Sequence, residues 1–169
     1  MNFYSDVLDK DGKRMIDTVI SVNGYDEDYF LNCSLTQEKL KALDETSKFI
    51  LLSVEDEDEY EDKEVALLIY EDFKKSEFLK GADLEYSEEN AKHIDSLRKL
   101  LYKIDSSKDY VYIRFLECFE EGNGYGKAIV NKLKESCKNI ILYSTSDAES
   151  FWVKQGFTNV YDNIYKFEC

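Results

Sequence analysis

The residues best placed to do chemistry in this chain are Gly122, Asn123, Gly124, Tyr125, Gly126 and Lys127. Ahead of them, Tyr110 to Phe119 is β-branched and aromatic without a breaker, the pattern of a mostly buried strand. Behind them, Ile129, Val130, Leu133 and Cys137 recur at helical spacing among good helix formers. The order is strand, glycine turn, helix. Glycines at alternate positions let the backbone turn sharply and approach a ligand, and the free N–H groups of the helix's first turn then point out of the turn. Such an end attracts anions, phosphates above all. Spacing narrows the choice. A Walker A loop has four residues between its first glycine and its Gly-Lys pair, then Ser or Thr; here Gly122 and Gly126 enclose three, and Ala128 follows Lys127. A dinucleotide fingerprint wants Gly or Ala where Lys127 stands, near the start of a repeated βαβ pattern. Neither fits well.

The arrangement Glu121-x-x-Gly124-x-Gly126, after a long strand and before a helix, resembles motif A of the GNAT superfamily, the acyl-CoA-dependent N-acyltransferases. Further on, Asn139 to Tyr143 reads as a strand, and Asp147 to Phe157, with Ala148, Phe151, Trp152, Gly156 and Phe157, resembles that superfamily's motif B. The two stand in the superfamily's order and span about the C-terminal third of the chain. The resemblance implies one domain of mixed α/β (α+β) class over residues 1–169. Its sheet would be central, mostly antiparallel and flanked by helices, splayed where the strand ending near Leu116 meets the one beginning near Asn139. The cosubstrate implied is acetyl-CoA, with no metal. The backbone of Arg114, Phe115 and Leu116 would pair with the pantetheine arm, and the N–H groups from Gly122 to Lys127 would hold the pyrophosphate.

Acyl transfer to an amine needs a neutral amine, a polarised thioester carbonyl and a proton for the departing thiolate. Three positions depart from the superfamily's pattern. Glu121 stands where Arg or Gln is usual, with Lys127 near to compensate. Trp152 stands where a Tyr would protonate the thiolate, and an indole N–H is a donor but no useful acid. Thr145 stands where an Asn commonly touches pantetheine, and replaces it in part. Glu117 is a candidate base, or else an edge carboxylate facing solvent. Tyr143 is a candidate proton donor, or else a packing residue. Cys118 could carry an acyl group, or else be a buried structural thiol, as direct transfer in the superfamily suggests.

The elements that must position these residues follow in order. Phe3 to Leu8 and an Asp11-Gly12 turn precede a first strand over Met15 to Val22. Asp26 to Leu31 suits a short helix, and Thr36 opens a clearer one with Leu35, Leu40 and Leu43 on one side. Phe49 to Val54 and Val65 to Tyr70 read as strands joined by an acidic tip, Glu55 to Asp62, which lacks the fixed ligand spacing of a cation site. Residues 73–108 read as a helical insertion before the motif A strand. Ser87 reads as its N-cap, and Ile94, Leu97, Leu101 and Ile104 as its apolar stripe. It is open to three uses: core packing, a cover over the acceptor site, or an oligomer contact such as a homodimer. Thr158 to Phe167 suits one or two closing strands, turning at Asp162-Asn163.

Length and composition set the outer bounds. With 169 residues, 43% of them hydrophobic, the chain can bury a continuous core. A formal charge of −14 repels nucleic acid and anionic membranes and draws cationic ligands; it also serves solubility alone. No secretory signal is recognised, and no apolar stretch approaches the ~20 residues of a membrane helix. Cys33, Cys118, Cys137 and Cys169 lack metal or framework spacing, so free thiols in a reducing cytoplasm are expected, and His93 alone makes no metal site. Three functions remain in view. They are an N-acetyltransferase acting on a cationic amine (a small molecule or a lysine side chain), an acyl-CoA-binding module without turnover, and an acidic interaction protein using the fold as scaffold.

Overall fold

Phe49-Ile50-Leu51-Leu52 and Val65 to Ile69 are apolar on successive residues, so neither face of the strands they form can stay in water. In the computed structural model both runs are strands with all nine of these residues buried. The structure describes residues 2–8, 14–21, 47–55, 62–73, 104, 105, 108–136, 139–161 and 163–169, the first two ranges by backbone alone. The described strands are β1 (Asn2–Leu8), β2 (Arg14–Ser21), β3 (Lys48–Val54), β4 (Lys63–Asp72), β5 (Tyr110–Cys118), β6 (Asn139–Tyr143), β7 (Thr158–Tyr161) and β8 (Ile164–Phe167). The described helices are α1 (Tyr125–Glu135) and α2 (Glu149–Lys154), the second preceded by a 3-10 turn at Ser146–Ala148. Hydrogen-bonded order is β1-β2-β3-β4-β5-β6-β8-β7. The class is mixed α/β with a mostly antiparallel sheet, as expected.

Residues group into two compact units, 1–71 with 113–137, and 72–112 with 138–169; β5 contributes to both. In the first, β1, β2, β3 and β4 follow one another as antiparallel neighbours, Leu51 facing Leu67 across β3 and β4, with an irregularity at Leu52/Ser53. Phe119 donates its N–H to Val65 O at 2.9 Å, continuing the β5 pairing with β4 one residue past the strand. Helix α1 buries Tyr125, Gly126, Ile129, Val130 and Leu133, the stripe that its periodicity marks, while Lys132 and Lys134 complement the dipole at its last turn. Strand β1 was not among the expected strands. Phe3-Tyr4 and Ser5-Asp6 do not alternate, and its partner β2 supplies the pairing that pattern alone does not announce. The helices read at 26–31 and from Thr36 lie outside the described residues, as does the acidic tip at 56–61. So does the insertion helix, apart from Ile104.

In the second unit β6 pairs antiparallel with β8, and β8 with β7, so the closing segment makes two strands. Ile104, Tyr110, Ile141 and Ile164 form a buried cluster against which Phe73, Tyr112 and Val160 pack. Asn139 Nδ2 donates to Asp109 O at 3.1 Å, tying the start of β6 to the start of β5. The Tyr110 hydroxyl donates to Glu168 Oε1 at 2.6 Å, and Lys108 and Lys166 stand 3.4 and 3.2 Å from the same carboxylate. Burial first, then that bond, push the Tyr110 phenol well above its ordinary value. The bond from Tyr110, more than Lys166 and Lys108, holds the Glu168 carboxyl below the usual range.

A lowered carboxyl contributes stability above its unfolded value and loses it as pH falls through the folded one; a raised phenol loses its contribution as pH climbs past about 10. Tyr110→Phe keeps the ring in the core and removes the hydroxyl. Melting midpoints across pH 3 to 7 are therefore expected to fall less steeply on acidification for the variant than for the parent, and parallel curves would refute the coupling.

Candidate functional site: a glycine turn and a helix end

Along the second half of β5, Arg114 is exposed and Phe115, Leu116, Glu117 and Cys118 are half-buried. Arg114 Nε lies 3.4 Å from Glu71 Oε2 on β4, an oxygen that also accepts from Ser47 Oγ at 3.2 Å. Past Cys118 the chain turns through Gly122 and Gly124, whose φ angles of 80° and 83° are left-handed. At both, a Cβ would meet nothing within 4 Å, so backbone conformation rather than crowding by the protein calls for glycine, and the outer side of the turn is open. Gly124 caps α1 without a side chain, and Ala128 N–H closes the first turn on Gly124 O at 3.1 Å. The amides of Tyr125, Gly126 and Lys127 therefore precede the helix's own bonding, at its positive end.

Two side-chain features of this turn bear on its chemistry. Glu120 Oε2 accepts from Asn123 Nδ2 at 3.3 Å, while Glu120 Oε1 pairs with Lys63 Nζ at the start of β4. Asn123 Oδ1 is buried with no hydrogen-bond partner. The Gly126 amide faces the Cys118 sulfur; burial pushes that thiol up, Glu117 and Glu121 push it further, and the amide opposes them. A thiol so reluctant to ionise makes a poor nucleophile.

In the second unit, β6 ends at Tyr143, whose side chain is 49% exposed. Ser144 is buried, giving its N–H to Asn163 O and its Oγ–H to Thr145 O, each at 2.7 Å. Thr145 is exposed and extended ahead of the 3-10 turn. Trp152 is buried in α2, edge-to-face with Phe151 at 5.0 Å and Phe157 at 5.1 Å. Gly156, at φ 81°, ends the helix: its N–H returns to Val153 O, and that of Phe157 to Trp152 O. A left-handed glycine is the usual solution at such an end, and the following Phe157 closes over the aromatic pair.

A strand, a glycine turn opening a helix, and a second short helix ended by glycine thus follow in sequence. Over 90% of this chain and 97% of that one, the structure matches the Bacillus subtilis N-acetyltransferase YlbP in complex with coenzyme A, at TM-score 0.53 and 17% identity. The chain has a GNAT fold. A Tyr-to-Phe mutant of KacT matches over 89% of this chain and 94% of that one at TM-score 0.50 and 12% identity. The KacTA–DNA complex matches over 89% and 92% at TM-score 0.52 and 10% identity. No protein-family model and no curated protein matches the sequence.

Within this GNAT fold, Arg114, Phe115, Leu116, Glu117 and Gly122 to Lys127 fall in the first unit, Tyr143 and Thr145 in the second. Sequence reasoning missed Lys63, Glu71 and Glu120. Lys63 and Glu120 are 57 residues apart, and no local pattern pairs them. Among the described residues no group of three His, Cys, Asp or Glu is arranged for a metal ion, and no helix is long and apolar enough to cross a membrane.

Proposed function

We propose that the chain is a cytoplasmic N-acetyltransferase, transferring an acetyl group from acetyl-CoA to a primary amine on a small cationic molecule or a lysine side chain. The observation that carries this is the glycine turn of the GNAT fold, with two left-handed glycines open on their outer side directly ahead of the positive end of α1. The amides from Gly122 to Lys127 hold the pyrophosphate, and the backbone of Arg114, Phe115 and Leu116 binds the pantetheine arm. Glu117 accepts the amine's proton; Tyr143 donates to the departing thiolate, and Thr145 adds a hydroxyl contact to pantetheine. Transfer is direct, because the raised Cys118 thiol disfavours an acyl-enzyme. The chain's charge of −14 suits a cationic acceptor and disfavours nucleic acid or an anionic membrane as partner. The fold over 1–169 acts as a single catalytic domain, with 73–108 as its insertion.

A second function, acyl-CoA binding without turnover, is favoured by one observation: Trp152, at the position where the resemblance implies an acid, is buried between two phenylalanines. Calorimetric titration with acetyl-CoA and desulfo-CoA, then thiol release against a panel of amines, separates the two. Binding and release together support the enzyme, and binding alone the module. Failure to bind either ligand refutes both and leaves an acidic interaction protein.

A further inference from the structure

Three carboxylates, Glu117, Glu120 and Glu121, stand within five residues of one another just before a turn proposed to take an anion. Unless matched, they would oppose the ligand. Glu120 has a defined cation: its Oε1 pairs with Lys63 Nζ, and its Oε2 accepts from Asn123 Nδ2 at 3.3 Å. Lys63 opens β4, which is hydrogen-bonded to the same segment through Phe119 N–H and Val65 O. A chain of polar contacts therefore runs from the sheet, through Glu120, to the residue lying between the two left-handed glycines. Those glycines give the turn its shape but no stiffness, since glycine loses the most conformational freedom on ordering. Asn123 is tied to Glu120 by its side-chain amide, while its buried Oδ1 has no hydrogen-bond partner.

We infer that Lys63 is a positioning residue for acyl-CoA: through Glu120 it anchors the glycine turn, and by neutralising that carboxylate it lets the turn accept phosphate. The inference rests on the acyl-CoA binding proposed above, and it assigns to β4 the positive charge that Glu121 fails to supply beside the glycines. Lys63 itself need not touch the ligand. Its side chain is 51% exposed, so replacing it leaves the fold intact.

The test is calorimetry with coenzyme A and with pantetheine, which lacks the phosphates, at low and high salt. Lys63→Gln is expected to weaken coenzyme A binding about fivefold at low salt, because it exposes an unmatched carboxylate near phosphate. The deficit should shrink as salt rises, and pantetheine binding should not change. Lys63→Arg should bind like the parent. Adding Glu120→Gln to Lys63→Gln should restore most of the loss, since it removes the unmatched charge while keeping an acceptor for Asn123. A purely structural brace would give no such recovery. Equal affinity of Lys63→Gln and parent, or a double variant as weak as the single, overturns the inference and leaves the function standing. A parent that binds no coenzyme A refutes the function, and this inference with it.

Discussion

Replacing Gly124 by leucine is expected to weaken coenzyme A binding at least tenfold, about 1.4 kcal/mol. Two costs combine. At φ 83° the position is left-handed, where an L-residue pays roughly 1–2 kcal/mol that glycine does not. A Cβ there meets no protein atom within 4 Å, so the leucine is free to project from the open side of the turn, where the pyrophosphate would lie. Gly124→Ala separates the two costs, carrying the strain with little of the bulk, and should fall between parent and leucine. Titration with coenzyme A reads both, and an unchanged affinity in the leucine variant would remove the pyrophosphate from this turn.

The second large effect concerns the proton inventory. An aliphatic ammonium with pKa of about 10.4 is almost wholly charged near pH 7, whereas a thiolate of pKa about 8.5 leaves without much help. Deprotonating the amine is the heavier demand. Glu117→Gln is therefore expected to lower kcat/KM by about a hundredfold, the lower range of general-base contributions, and Tyr143→Phe by less than tenfold. In both variants the rate should rise with pH, since solvent then supplies more neutral amine. Steady-state rates from pH 6 to 9 on an accepted amine decide the matter. A larger loss in Tyr143→Phe would reverse the two roles.

How far the sequence revealed these features depends on whether they are local. The β-branched run at Tyr110, the glycines from Gly122 to Gly126 and the apolar spacing of Ile129, Val130 and Leu133 each act within a few residues, and the structure places β5, the turn and α1 where they pointed. Strand β6 coincides with Asn139–Tyr143 for the same reason. Pairings made by folding left no local trace. Arg114 finds Glu71, and Glu120 finds Lys63, only because β4 and β5 run side by side. Nor could spacing tell that Trp152 would be enclosed by Phe151 and Phe157. The resemblance implies a tyrosine at its position, but its burial is a property of the packed helix end.

That burial has a spectroscopic consequence. The chain contains one tryptophan, so all of its indole emission comes from a single place, and Trp152 at 5% exposure should emit to the blue of indole in water. It belongs to the second compact unit, whereas far-ultraviolet circular dichroism registers both. Following the two signals through one denaturant titration compares the melting of the aromatic pocket with that of the whole backbone. Coincident transitions would mark cooperative unfolding, and an earlier fluorescence change would mark independent loss of the helix end around Trp152. Because Trp152 is the chain's one indole, a change in indole emission on adding coenzyme A would report a change around that residue, making unlabelled protein its own sensor of this helix end.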